Sequence, residues 1–410
     1  MRQMIDVFSE NVRLDELGSR LIVRGLVLGV LGTGAALAFS MLVRQDQFER
    51  FAWAYLLNFA FVVSLGLGAL FWTLVQHVTR AGWSVVVRRL LEGVAAGTLT
   101  LAVVLVLPLL AMIPRLYFWA DPETRAADPL LAHKLDWLSY GAVSARLVAY
   151  VLIWAAMALW LHRTSVAQDE SGDPQLTLRL ERHSAWMLFV FALTVTFASF
   201  DLLMSLDAHW FSTIFGVYYF SGCALGSMAL LAVLAFWVQR RGRISHAITV
   251  EHYHDIGKLT FGFVVFWAYI AFSQYMLIWY ANLPEETAWM IRRQQAPWVW
   301  VSLVLIFGHF FVPFLGLLSR VPKRRPAVLA VFGVYLLAMH WIDLFWLVMP
   351  EFGRHGHGAH AGPWFSVIDL LLLIGLGGFA VAAVAHRLRG AALVPLRDPR
   401  LPESLTFENA

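Results

Sequence analysis

The sequence predicts an all-α integral membrane protein with ten transmembrane helices, and three observations predict it. Of its 410 residues, 60% are hydrophobic and 14% charged, with a mean hydropathy of +0.67, far beyond a soluble domain. Apolar windows of membrane-spanning length recur along nearly the whole chain. The connections between them are short, and none is long enough for a soluble domain.

The windows fall at about 21–43, 52–76, 90–113, 137–161, 184–206, 212–238, 257–281, 297–319, 327–349 and 364–387. Residues 1–20 are polar and give no cleavable signal peptide, so the first span is expected to act as an uncleaved anchor. Within them Ile5, Phe8, Val12 and Leu17 fit one face of an interfacial helix; a solvated tail is the plainer alternative. The ten-helix domain spans 21–387, followed by a tail over 388–410.

Lys and Arg concentrate in the connections on the amino-terminal side, as in RVPKRR at 320–325. The positive-inside rule then puts both termini in the cytoplasm. The formal charge of +4 is explained by these flanks and requires no nucleic acid. Tryptophans near the span ends are expected to form interfacial belts: Trp53, Trp137, Trp210, Trp279 and Trp298 outside, and Trp72, Trp160 and Trp237 inside. The single cysteine, Cys223, means that this chain cannot by itself hold an iron–sulfur cluster or a c-type haem. No metal site is expected. The segment RHGHGAHAG carries His355, His357 and His360, but a flexible Gly/His loop has no fixed ligand geometry.

A weak internal repeat relates the second to fifth spans to the sixth to ninth. The fourth span carries Trp137-x8-Arg146 and the eighth Trp300-x8-His309. FDLL at 200–203 answers IDLF at 342–345, and SLGLGA at 64–69 answers SGCALGS at 221–227. Small residues in such runs let helix backbones approach closely. Two pseudo-symmetric four-helix bundles are therefore expected, over about 52–206 and 212–349.

Charge inside a membrane is costly, ~2.5–3.5 kcal/mol at the bilayer centre on insertion scales, so such groups should face the bundle interior and find partners. At ~1.5 Å per residue, Arg146 and His340 lie roughly 14 Å from the outer ends of their spans, and His309 about 18 Å. Asp201 and Asp343 lie about 8–9 Å deep on the same basis. Arg146 with Asp201 reads as a structural ion pair, since guanidinium does not release protons near neutral pH. His309 or His340 with Asp343 reads as the matching set in the second bundle. Carboxylate and imidazole titrate, so Asp201, His309, His340 and Asp343 are candidates for a proton relay, with hydrogen-bonded structural roles as the alternative. On the inner side, Glu92 and Lys258 are the candidates for a water-filled mouth. Asp207 and His209 fall at the outer interface, where a solvated loop is the default. A haem between His309 and His340 is disfavoured by their bulky flanks, IFGHFFVP and LAMHWIDL.

The stretches SFDLLMSLDAHWFSTIFGVYYFSG (199–222), HDIGKLTFGFVVFWAYIAFSQYMLIWYANLPEET (254–287) and DPRLPESLTFEN (398–409) resemble the F subunit of bacterial alternative complex III. That subunit belongs to the wider polysulfide/nitrite reductase membrane-anchor superfamily. The resemblance covers nearly the whole chain. It implies a ten-helix fold with two four-helix bundles, in a complex that oxidises membrane quinol. Electrons then pass through iron–sulfur clusters and c-type haems on partner subunits to a cytochrome, a high-potential iron–sulfur protein or a terminal oxidase. It also implies a sister membrane subunit alongside, usually assigned the quinol site.

The function expected is thus a non-catalytic subunit without redox centres, contributing a proton pathway coupled to quinol oxidation. The alternatives are a scaffold that braces the sister subunit and docks a terminal oxidase, or a secondary transporter. The transporter lacks a matched pair of broken helices, because Pro108 and Pro313 do not correspond. Contact with menaquinone or another quinone is a further expectation, with His209 and Tyr218 as the contacts at the polar end of an apolar cleft.

Overall fold

The computed structural model describes residues 9–44, 48–352 and 365–409. Among them, ten helices are long and apolar enough to cross a membrane. They are α1 (Asp15–Phe39), α2 (Glu49–Val78), α3 (Val85–Leu116), α4 (Tyr140–Ser171), α5 (Pro174–Leu202), α6 (Phe215–Arg240), α7 (Val250–Ala281), α8 (Trp298–Leu318), α9 (Pro326–Phe352) and α10 (Val367–Arg389). No strand occurs among the described residues. Ile5, Phe8 and the histidines at 355, 357 and 360 lie outside them.

The ends follow local chemistry. Asp173 caps the first turn of α5 ahead of Pro174, whose missing N–H would have no helical partner there. Thr249 and Ser366 form capping boxes at α7 and α10. Gly172 and Asn282 close α4 and α7 in the left-handed region, where side chains other than those of Gly and Asn are strained.

Helices α2 and α6 form the centre: 83% and 72% of their most apolar windows are buried inside the protein, against 22% for α1. Contacts link α2 to α3, α3 to α4, α4 to α5 and α5 back to α2. A second set links α6, α7, α8 and α9, with α9 returning to α6. The two small-residue runs meet across the α2–α6 contact. A Cβ on Gly68 would lie 1.9 Å from the Cys223 carbonyl oxygen and 2.4 Å from Ser227 Oγ. Trp72, just beyond that run on α2, donates its indole N–H to the Ala224 carbonyl at 3.0 Å. Helices α1 and α10 pack on the outside through glycines, and a Cβ on Gly25 would lie 2.6 Å from the Gly378 oxygen.

Two expectations are corrected. Trp53, Trp72, Trp210 and Trp298 are buried, and of the outer belt only Trp137 and Trp279 are widely exposed. The four buried rings pack within the protein, where Trp72 and Trp210 donate their indole N–H groups to the Ala224 and Glu286 carbonyls. The carboxyl-terminal segment is not a free tail. Leu393 donates its N–H to the Val12 carbonyl at 2.7 Å, Leu396 to Asp169 at 2.9 Å, and Ser404 Oγ to the Trp83 carbonyl at 2.7 Å. Asp398 pairs with Arg88. The segment thus straps the side of the membrane domain where α1 begins.

Candidate functional site

Two buried carboxylates sit on different supports. Asp201, near the end of α5, is fully buried and takes a two-point ion pair from Arg146 on α4: Nε to Oδ2 at 2.8 Å and Nη2 to Oδ1 at 2.7 Å. Tyr150, one turn along α4, adds its hydroxyl at 3.1 Å. Arg146 also donates to the Trp137 carbonyl at 2.8 Å and lies 4.0 Å from the centre of that indole. Nε and Nη2 of the guanidinium are thereby engaged, and the pair reads as a fixed strut.

Among the described residues, Asp343 on α9 has no cation within ion-pair distance. Its carboxylate accepts from the Tyr218 hydroxyl on α6 and from Trp267 Nε1 on α7, the latter at 3.1 Å. The expected histidine partnership is corrected: neither His309 nor His340 bonds this carboxylate. His340 lies one turn from Asp343 and contacts Ser64 Oγ on α2 through Nε2 at 2.8 Å. Its ring occupies the gap left by two glycines of α6, with Cε1 2.7 Å from where a Cβ of Gly222 would stand. His309 packs its ring on Trp267, centres 4.1 Å apart. Trp267 therefore stands between His309 and Asp343. Both ring nitrogens of His309 and Nδ1 of His340 are buried without a hydrogen-bond partner among the described residues, an open capacity that water commonly fills.

His309 also lies in a π-helical segment, Leu305–Phe311, inserted in α8. Pro313 supplies the cause, since its missing N–H leaves the His309 carbonyl without the usual donor four residues on. Such bulges widen a helix and are frequent at functional sites.

Between α7, α8 and the outer helix Pro284–Gln294 opens an apolar cleft of about 750 Å³, lined among others by Tyr218, Trp267, Gln274, Arg293, Ser302 and Phe310. Gln274 is buried, with Oε1 unpartnered among the described residues. Arg293 is spent on the carbonyls of Trp289, Trp346 and Leu347 and on Glu351 at 3.3 Å. His209 does not line this cleft, which corrects its expected pairing with Tyr218. Its Nε2 meets Asp128 Oδ2 at 2.5 Å in the outer loops, and its ring stacks on Phe118. That hydrogen bond holds the Asp128 carboxyl below the usual range, helped by the amides of Leu130 and Leu131.

Asp207 is also corrected. It is buried, not solvated, and pairs with Arg292, which reaches Glu351 at 3.2 Å. The short outer helix supplies these arginines, and hydropathy alone does not place it over the span ends.

On the opposite side, the two expected mouth residues differ. Glu92 is buried, with Arg88 Nε at 3.5 Å and Arg89 Nε at 3.0 Å, beneath the carboxyl-terminal strap. Lys258 is half-exposed, pairs with Asp255 at 2.5 Å and donates to Asn409 of the strap at 2.7 Å. Between this side and Ser64, Gln76 and His77 of α2 are buried with hydrogen-bonding capacity unmet. Among the described residues no group of three or more His, Cys, Asp or Glu is placed to hold a metal ion.

Fold and site together define the class: a multi-pass helical membrane protein with titratable groups at its centre. No protein-family model matches the chain, and no curated protein matches it.

Proposed function

We propose that this chain is a membrane subunit of a respiratory quinol:electron-acceptor oxidoreductase of the alternative complex III type, and that it carries protons coupled to quinol oxidation. The motif stretches at 199–222, 254–287 and 398–409 support the family reading. The setting of Asp343 carries the proton role. It is a buried carboxylate without a cation among the described residues, bonded to a phenol and an indole, near two imidazoles with open ring nitrogens. Chains of such groups serve as proton relays in membranes, whereas Asp201 is committed to Arg146.

In this reading the chain has no redox centre of its own. Electrons run through iron–sulfur and c-type cytochrome subunits beside a sister membrane subunit, with a terminal oxidase as a further partner. Both termini face the cytoplasm of a bacterial inner membrane, as the Lys/Arg distribution supports. The two closed sets of four helices are read as related copies. Lys258 is the favoured water contact on the terminal side, because Glu92 is held by two arginines.

The cleft favours a second reading, that the chain itself contacts a quinone. Its apolar walls suit an isoprenoid tail, and Gln274 and Tyr218 offer polar groups at its depth.

Affinity purification of the full chain from its native membrane tests the assignment. Co-purification with c-type haem, iron–sulfur subunits and quinol:cytochrome c reductase activity is expected. A chain that purifies alone and takes up a solute in vesicles would overturn it in favour of a transporter.

A further inference from the structure

A second cavity, about 390 Å³, lies where α4 and α10 end on the side carrying the strap. His162, Arg163, His386 and Arg387 line it, with Glu170 and Val166 also on its walls. The charge balance is unusual for an interior edge. Arg163 and Arg387 act on each other as like charges, and among the described residues the Arg387 guanidinium reaches only the Thr100 hydroxyl, at 3.4 Å. His162 is buried, and its Nδ1 has no hydrogen-bond partner among the described residues.

Two arginines and a buried imidazole with an open nitrogen line one cavity against a single carboxylate, Glu170, and this surplus of cationic donors suits an anion. The geometry points to a pocket for the phosphate group of an anionic lipid headgroup. Arginine suits phosphate, since its planar fork meets two oxygens at once. Basic pockets between transmembrane helices on the positively flanked side are where anionic headgroups seat.

Two features oppose an anion. The Glu170 carboxylate lines the pocket, and the last carbonyls of α10 carry partial negative charge. The second effect is confined to the last helical turn and is equivalent to about half a charge, so the two arginines outweigh it. The source is lipid because the cavity opens between two membrane-spanning helices at the level where their apolar runs end. The assignment is independent of any quinol chemistry.

The test is native mass spectrometry and thermal unfolding of the full chain, purified in detergent and depleted of lipid. Phosphatidylglycerol, phosphatidylcholine and inorganic phosphate are added in turn. Arg163 is exposed, so Arg163→Gln leaves the packing intact. It should weaken phosphatidylglycerol retention about fivefold, the factor given by ~1 kcal/mol for one arginine near an anionic surface. Arg387→Lys, which keeps the charge but loses the fork, should weaken it less. Phosphatidylcholine should bind weakly and equally to all forms. Phosphatidylglycerol retained equally by wild type and Arg163→Gln overturns the proposal. So does stabilisation by inorganic phosphate alone, which would mark a soluble-anion site.

Discussion

Arg146 and Asp201 face each other across α4 and α5 in a two-point ion pair, 2.8 and 2.7 Å, with the carboxylate fully buried. Removing one partner leaves the other charge in apolar surroundings. Arg146→Gln or Asp201→Asn should each destabilise the chain by about 3 kcal/mol, and the double change Arg146→Met/Asp201→Leu should recover most of that loss. Thermal unfolding in detergent reads both effects. Single variants as stable as wild type would remove the strut role.

The contact between α2 and α6 depends on the missing side chain at Gly68. A Cβ there meets the Cys223 carbonyl at 1.9 Å, which is backbone and cannot swing aside. Gly68→Ala should therefore cost about 1–3 kcal/mol by overpacking. Gly34→Ala, where nothing lies within 4 Å, is the matched control and should be neutral or gain up to about 1 kcal/mol from helix propensity. Unfolding midpoints of the two variants, compared directly, check the difference.

Much of this was legible in the sequence because the membrane simplifies the physics. Backbone groups must be satisfied within each span, so ten apolar windows give ten helices. The Arg146–Asp201 pair follows from depth and opposite charge. The partners of Asp343 do not follow in that way. Depth places His309 and His340 near it, but azimuth decides contact. The signal that does point there is Trp267, an indole donor in mid-span, which competes with the titratable neighbours for the carboxylate. The strap over 391–409 was also hidden, since its polar composition fits a free tail as well as one bonded to Val12, Asp169 and Trp83. Asp207 looked solvated because its partner Arg292 is remote in sequence, on a short helix that hydropathy does not place.

In the outer loops, Asp128 caps the helix Pro129–His133 and accepts from His209. Folding holds its carboxyl below the ordinary value, so the folded state binds this proton less readily than the unfolded chain. Its contribution is full above about pH 4, the ordinary aspartate range, and fades as pH falls through the lower folded value. Hydrogen exchange across Pro129–His133 should show protection in wild type above pH ~4 that Asp128→Ala, which removes the cap, lacks, and the gap should narrow in stronger acid. A protection gap that widened on acidification would contradict the assignment.

Asp343→Asn is the substitution that bears most directly on the central claim. The amide oxygen still accepts from Trp267 and the amide NH2 can donate to the Tyr218 oxygen, so the fold and assembly should survive while the exchangeable proton is lost. The measurement is the proton-to-electron ratio of the intact complex in sealed vesicles during quinol oxidation, with turnover recorded in parallel. A lowered ratio in a fully assembled complex is the predicted result. Wild-type stoichiometry and turnover in the Asp343→Asn complex would contradict the account and leave the chain a scaffold.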